Sequence, residues 1–228
     1  MDWQILWQYR AAFLYGALTT LGLMIPAVVF GTILGGALMF ARRSHNPIAR
    51  FLAIGYIWFL RPVPFYTILL WVYYAFPELI TIRLPAFIAA FLALMLNMAA
   101  FVSENMRAAI EAVPRDQFEA AFVDGASEWQ AMWHIVLPQG VRIMIPSMIN
   151  EFITSGKLTS ITAIIGVGEL MNRAGAINAS VFKPLGVYTM VAIVYFVIFL
   201  PLMIVAELYE GKLAAERRKR PTANGKGV

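Results

Sequence analysis

The sequence predicts an all-α integral membrane protein with about five transmembrane helices. Of its 228 residues, 61% are hydrophobic and 14% are charged, whereas a soluble domain is nearer half apolar and a quarter charged. One soluble core cannot bury that excess, but lipid covers the outer face of a helical bundle in a membrane. The formal net charge of +5 is concentrated between and after the long apolar runs. That placement is typical of a membrane protein rather than of a nucleic-acid-binding one.

The predicted spans differ in how many polar residues interrupt them. Residues 11–41 contain no charged residue, and at 1.5 Å per residue they can cross a hydrocarbon core of about 30 Å with tilt. The second span is interrupted by Arg61 and by the Pro62-Val63-Pro64 run, and the fourth contains Glu151 and Lys157. The five spans are predicted at residues 11–41, 51–77, 84–103, 142–165 and 185–206.

The basic residues predict the orientation, because short cytoplasmic loops carry an excess of Lys and Arg. The larger group falls on one face: Arg42, Arg43, Arg50, Arg107, Arg115, Arg142 and the basic tail. The smaller group falls on the other: Arg10, Arg83, Arg173 and Lys183. The larger group marks the cytoplasm, so an odd number of spans puts the N terminus outside and the C terminus inside. Residues 1–212 form one transmembrane domain, and the tail 213–228 is expected to be disordered.

The longest polar stretch inside the bundle, residues 113–138, predicts two short amphipathic helices joined by a sharp corner. Pro114 can occupy the first position of a helix, where no N–H donor is needed. Gly125 stands where that helix should stop or turn. Three residues between them form one apolar stripe at i, i+3 and i+4: Phe118, Ala121 and Phe122.

The second helix of this stretch is predicted to begin immediately after the corner. Ser127 and Gln130 have the spacing of a capping box. Its apolar stripe comprises Trp129, Met132, Trp133 and Val136. The Leu137-Pro138 pair is expected to end it, because a proline cannot continue the hydrogen-bond ladder of a helix.

On the cytoplasmic side, these stripes must contact either lipid headgroups or a protein. Helices that lie on a membrane surface usually carry many Lys or Arg residues, whereas this stretch has Arg115 against four acidic residues. The acidic residues are Asp116, Glu119, Asp124 and Glu128. A protein partner is therefore the favoured interpretation, and an interfacial helix is the alternative.

The same stretch also carries a specific pattern of residues. Its fixed positions are Glu119, Ala120, Ala121, Gly125, Ile135, Leu137 and Pro138. Their spacing resembles the EAA loop of permease subunits of bacterial ABC importers. The resemblance implies the type I importer permease fold. It also implies a coupling helix that docks into a groove on a cytoplasmic ATPase, with Trp129 among the docking residues.

Further segments resemble the polar amino acid uptake subgroup of that family. These segments are Arg61 to Pro64, Asn97 to Phe101 with Glu104 and Arg107, Asn150-Glu151, and Ile165 to Leu170. One departure is Leu158, which stands where an acidic or polar residue is usual. The solute therefore stays open among basic, acidic and neutral amino acids, opines and compatible solutes.

The resemblance also implies partners, a location and a mechanism. A second permease subunit, identical or related, would complete the pathway, and two cytoplasmic subunits would bind ATP and Mg²⁺. An extracytoplasmic solute-binding protein would deliver the solute to the bacterial inner membrane. The chain itself would bind no cofactor and would work by alternating access.

Polar residues inside the spans are candidates for a solute path, because a charge at mid-bilayer costs at least about 2.5–3.5 kcal/mol. The candidates are Asn97, Glu104, Asn150, Glu151, Lys157, Thr159 and Ser160. Glu151 suits the ammonium group of a zwitterion, and Lys157 or the two hydroxyls suit its carboxylate. Glu151 and Lys157 lie about 240° apart around an ideal helix, so they cannot pair on one face. Lys157 can instead extend to the outer interface, and Asn97 can bridge helices.

Two of the charged candidates have a structural alternative. Glu104 and Arg107 lie at i, i+3 and can form an ion pair. Arg61, together with Pro64, can hold the broken backbone of the second span rather than contact solute.

The sequence predicts no catalytic, metal or ATP site of its own. Gly156-Lys157-Leu158-Thr159 resembles the end of a phosphate-binding loop only superficially, since Glu151 stands where the first glycine is required. There is no Cys, and His45 and His134 lie far apart without ligand spacing. The chain cannot hydrolyse ATP by itself, so any energy from ATP must come from partner chains. Two alternatives stay open: a secondary transporter driven by an ion gradient, and an accessory membrane subunit of another assembly.

Overall fold

The computed structural model describes residues 7–219, apart from the side chains of residues 118 and 214–219. All regular structure in that range is helical. The α-helices are α1 Arg10–Arg42, α2 Pro47–Leu60, α3 Phe65–Leu70, α4 Phe76–Ile80, α5 Ala86–Glu111, α6 Arg115–Val123, α7 Glu128–Ala131, α8 Leu137–Leu158, α9 Leu170–Val181 and α10 Pro184–Lys219. They are joined by the π-helical turns Trp71–Ala75 and Met132–Val136 and by the 3₁₀ helix Thr159–Ile165.

The predicted all-helical membrane fold is confirmed, but the spans are not equally regular. Three helices, α1, α5 and α10, are long and apolar enough to cross a membrane. α2 and the helical segment 65–80 together form a fourth candidate span. The chain bends by 112° between these two parts, at the Pro62-Val63-Pro64 run. α8 has 22 residues, but Arg142, Glu151 and Lys157 interrupt its apolar character. The count of five spans therefore stays a prediction for α8.

Pro138 lies inside a continuous helical segment, and a π-helical turn directly precedes it. The Leu137 N–H donates to the Met132 carbonyl, five residues back. This wider turn relieves the clash of the Pro138 ring with the preceding turn, and a π-turn precedes Pro77 in the same way. The prediction that Leu137-Pro138 ends the second hairpin helix is therefore wrong. α7, the π-turn and α8 form one helical rod over residues 128–158.

The centre of the bundle is the close contact between α1 and α5. A Cβ added at Gly35 would lie 2.7 Å from the Val102 Cβ, and one added at Gly31 would lie 3.0 Å from the Met98 Cβ. Only a residue without a side chain lets the two backbones approach this closely, which is a common device between membrane helices.

The last helix extends beyond the predicted end of the transmembrane domain. α10 runs from Pro184 to Lys219, so the helix continues past residue 212. The Leu213-Ala214-Ala215-Glu216 run consists of strong helix formers, which explains the extension. The remaining part of the predicted tail, residues 220–228, lies outside the described residues.

Replacement of Gly35 by Ala is expected to lower the thermal stability of the purified protein in detergent. The new methyl group would overlap Val102, and overpacking of this kind costs about 1–3 kcal/mol. Gly22→Ala on the same helix is the matched control, because no atom lies within 4 Å of its added Cβ. Equal melting temperatures for the two variants would contradict the assigned role of Gly35.

Candidate functional site

The predicted hairpin forms, and its corner has the geometry that requires glycine. α6 begins directly after Pro114 and ends at Val123, and Gly125 has a φ of 83°. In that left-handed region a side chain is strained. The Ala126 N–H donates to the Ala121 carbonyl at 2.9 Å, which closes the C-terminal end of α6.

The capping box that starts the second hairpin helix is present in both directions. The Ser127 N–H donates to the Gln130 Oε1 at 2.9 Å, and the Gln130 N–H donates to the Ser127 Oγ at 3.3 Å. A further side chain ties the two helices together: the Gln139 Nε2 donates to the Ile135 carbonyl at 3.0 Å and also to the Gln117 Oε1. The hairpin is therefore a defined structure and not a loose loop.

Apolar packing holds the base of the hairpin on the ends of α1 and α5. A cluster of four buried residues does this: Met39, Ile110, Val113 and Val136. Ala121 of α6 and Ala131 of α7 are also buried. Since both transmembrane helices end in this cluster, a force on the hairpin acts directly on them.

The side chains that the hairpin exposes are not all the ones that the sequence pattern predicted for docking. Five of the predicted docking residues are exposed: Glu119, Ala120, Gly125, Trp129 and Pro138. Ile135 and Leu137 are partly buried and Ala121 is buried. Of the large apolar side chains that the structure describes in the hairpin, Val123 is the most exposed, at 88%, and the pattern did not include it. Its position off the apolar stripe, beside Asp124 and Gly125, is the signal that could have identified it.

A cluster of charged side chains lies where α5 approaches the C-terminal end of α1. The Glu104 carboxylate accepts a hydrogen bond from the Arg42 Nη1 at 2.9 Å and is also paired with Arg107. The Arg61 Nη1 lies 3.9 Å from the same carboxylate, and Arg107 also pairs with Glu111. The sequence indicated the pair with Arg107, but it missed Arg42, which comes from a helix 62 residues earlier.

Arg61 occupies the bend between α2 and α3 and has neighbours on two sides. Its guanidinium lies 5.7 Å from the centre of the Phe101 ring, a distance typical of a cation–π contact. Its side chain is 43% exposed. Pro64, the other predicted structural residue, caps α3, so the two residues flank the broken backbone.

A broad side of α8 carries a polar stripe from Ser147 to Lys157, and Glu151 and Lys157 lie at its opposite edges, about 120° apart around the helix. Three residues of the stripe were predicted candidates: Asn150, Glu151 and Lys157. Ser147 and Thr154 belong to the same stripe, because the five positions 147, 150, 151, 154 and 157 follow the spacing i, i+3, i+4, i+7 and i+10 of a helix. Asn150 and Lys157 are exposed, and Glu151 is partly buried. In the described part of the chain no salt bridge joins Glu151 to Lys157. Ser147 and Thr154 could have been found by extending the same helical period in both directions.

The remaining candidates do not share that face. Asn97 and Thr159 are buried. The Thr159 hydroxyl donates to the Gly156 carbonyl at 2.7 Å, and the Ser160 hydroxyl donates to the Lys157 carbonyl at 2.7 Å. Both hydroxyls are therefore engaged with the backbone of their own helix.

Comparison with known proteins identifies the family. Residues 27–215 match the family described as binding-protein-dependent transport system inner membrane component. The chain belongs to this family. The predicted role as a membrane-spanning permease subunit, rather than as an enzyme, agrees with that membership.

Several relatives match this permease over nearly its whole length. The glutamine transport system permease protein GlnP of Escherichia coli (strain K12) is 30% identical over 213 residues, covering 93% of this chain and 97% of the relative. The arginine transport system permease protein ArtQ of Bacillus subtilis (strain 168) is 33% identical over 200 residues, covering 88% and 91%. A crystal structure of an amino acid ABC transporter with histidines matches with a TM-score of 0.88 and 30% identity, covering 93% and 99%.

A more distant structure supports the fold alone. The MetNI methionine ABC transporter in an inward-facing conformation matches with a TM-score of 0.74 at 19% identity, covering 90% of this chain and 97% of that one. The type I permease fold that the hairpin pattern implied is therefore confirmed.

Glu169 forms a buried junction between α9 and α10. From the sequence, this residue was noted only as part of the Ile165 to Leu170 segment that resembles the family. Glu169 is 0% exposed. Its carboxylate accepts hydrogen bonds from the backbone N–H groups of Met171 at 2.9 Å and Asn172 at 2.7 Å, and from the Tyr195 hydroxyl at 2.8 Å. It therefore caps α9 and ties α9 to α10.

Replacement of Glu104 by Gln is expected to destabilise the permease. The substitution keeps the size of the side chain but leaves Arg42 and Arg107 without their shared counter-charge, and hydrogen bonds to charged groups contribute about 1.5–3 kcal/mol each. Thermal melting in detergent measures the effect. Glu111→Gln is the control, because Glu111 pairs with Arg107 at the edge of the cluster and its side chain is 59% exposed. A Glu104→Gln variant as stable as this control would show that the cluster contributes little.

Proposed function

We propose that this permease moves a polar, zwitterionic amino acid or a related small solute into the cell as part of an ATP-binding-cassette importer. It works with a second permease, identical or homologous, and with two cytoplasmic subunits that bind ATP and Mg²⁺. An extracytoplasmic solute-binding protein supplies the solute. The chain lies in the bacterial inner membrane with its N terminus outside and its C terminus in the cytoplasm. Relatives named for glutamine and arginine transport support the class of solute.

The observation that carries this proposal is the exposed tip of the hairpin. Val123 is 88% exposed at the corner, between the exposed acidic residues Glu119 and Asp124. Burying such a side chain contributes about 1.5–3 kcal/mol, and the rigid base holds it in one position. A groove on an ATPase subunit with an apolar pocket and basic rim would fit this tip.

The solute path is proposed to follow the polar stripe of α8. Glu151 accepts the ammonium group, and Lys157 donates to the carboxylate, since the Thr159 and Ser160 hydroxyls already donate within their own helix. The stripe is open on one side in the single chain, and a second permease facing it would enclose a polar path between the two subunits.

An ion-gradient-driven transporter would also use charged residues inside the membrane. It gives no reason for a capped hairpin with an exposed apolar tip. The family membership supports the importer and not this alternative.

Replacement of Val123 by Asp is expected to weaken binding of the ATPase subunits by about tenfold or more, because it removes about 1.5–3 kcal/mol of apolar burial. The permease should still insert and melt normally, since Val123 has almost no intramolecular contact surface. Co-purification and ATP-dependent uptake in proteoliposomes measure the effect.

The matched control for the hairpin tip is Ile82→Asp. Ile82 is an exposed apolar residue in the segment between α4 and α5, on the face predicted to be outside. If Ile82→Asp disrupted ATPase binding and Val123→Asp did not, both the docking surface and the orientation would be wrong.

Glu151→Gln and Lys157→Met are expected to abolish or strongly reduce uptake while ATPase binding is retained. Each removes a charge-assisted hydrogen bond to the solute, worth about 1.5–3 kcal/mol, so the apparent KM should rise about tenfold or more. Uptake of radiolabelled glutamine and arginine is measured with the solute-binding protein present. Arg142→Met, at the other end of α8, is the control, and a loss of uptake there equal to that of Glu151→Gln would argue against a local solute site.

A further inference from the structure

Three aromatic rings form a continuous ladder from the end of α1 to the second hairpin helix. The Phe40 and Trp133 rings are stacked, with centroids 5.9 Å apart and an angle of 9° between their planes. The Trp133 and Trp129 rings follow at 5.1 Å. All three are exposed on their outer side, with Trp129 at 67%. We call these three residues the aromatic ladder.

The first ring of the ladder lies on the outward face of a transmembrane helix. Ile25, Val29, Ile33 and Phe40 are spaced by four, four and seven residues, so they share one face of α1. All four are exposed in the chain. An apolar face of this length on a membrane-spanning helix is covered by lipid or by another apolar helix, and water cannot cover it.

The position of the ladder along α1 corresponds to the membrane interface. α1 ends at Arg42, two residues after Phe40, and the exposed residues Arg43 and Arg50 follow. Trp and Tyr are enriched at this depth because their rings are apolar and their N–H or O–H groups stay hydrated. The two exposed arginines supply positive charge that attracts anionic headgroups.

The ladder and the acidic tip are separate parts of the hairpin. Asp116, Glu119, Asp124 and the exposed Val123 belong to α6 and its corner. The two Trp rings of the ladder belong to α7 and the π-turn, where Glu128 is the one acidic residue, and Phe40 belongs to α1. Trp133 is stacked on Phe40, a ring of the outward face of α1.

We propose that the aromatic ladder inserts into the cytoplasmic headgroup layer of the bilayer, so that Trp129 and Trp133 contact lipid and not the ATPase. This inference rests on the proposed orientation and refines the docking surface to α6 and the corner. One side of the hairpin is then held at the membrane surface while its acidic tip projects toward the motor subunit. The second predicted helix is thus the interfacial helix that the sequence offered as an alternative.

The test uses the fluorescence of single tryptophans in the full-length permease. Trp129 or Trp133 is retained alone and every other Trp is replaced by Phe. Each variant is placed in nanodiscs of mixed phosphatidylcholine and phosphatidylglycerol, with bromine at shallow or at deep acyl positions. Ile33→Trp in the Trp-free background is the depth control, since Ile33 lies about 10 Å further along the same face of α1.

For Trp129 and Trp133 we expect stronger quenching by shallow than by deep bromines, unchanged when the ATPase subunits bind. For the tryptophan at position 33 we expect the reverse order of quenching. Lack of quenching by either lipid, or quenching that disappears when the ATPase binds, would overturn the proposal and assign these rings to the ATPase interface. The Val123→Asp experiment is independent of lipid, so failure of the ladder and failure of the docking tip are distinguishable.

Discussion

The carboxylate of Glu104 is the interaction on which the hairpin end of this permease depends. Arginines from the end of α1, from the bend after α2 and from α5 itself converge on it. Arg42 and Arg107 share this carboxylate as their counter-charge, and Arg61 lies at the edge of the cluster, 3.9 Å from it. The cluster therefore fixes the ends of three segments relative to one another, just where α5 leads into the hairpin.

The continuous rod formed by α7, the π-turn and α8 connects the two functional regions. A proline that ended the helix at residue 138 would have separated the hairpin from the membrane by a flexible joint. The π-turn instead accommodates Pro138 with helical geometry on both sides. The polar stripe with Glu151 lies on that same rod, so a displacement of the hairpin moves the proposed solute path without a loop between them. On the proposed function, this continuity is the physical basis for coupling the ATPase subunits to the solute path.

The features that the sequence predicted well are those set by local rules. The long apolar runs predicted α1 and α5 because a backbone in lipid must satisfy its own hydrogen bonds, and the Ser127–Gln130 capping box follows from spacing alone. The failures depend on partners distant in sequence or on the type of helix. Arg42 joins Glu104 across 62 residues, which no local pattern contains. Thr159, by contrast, follows the buried Gly156 and Ser155 by three and four residues, so the helical period itself places it on the inner face.

The hairpin pattern itself is better explained by folding than by docking. Ala121 is buried, so a larger residue there would push α6 away from its base. Gly125 has a positive φ that other residues adopt only with strain. Leu137 and Pro138 lie at the π-turn that joins the hairpin to α8. These positions build the hairpin, while Val123, which is 88% exposed, lies outside the pattern. The pattern therefore identifies the scaffold of the hairpin, and a surface available to a partner must be found from exposure in the folded chain.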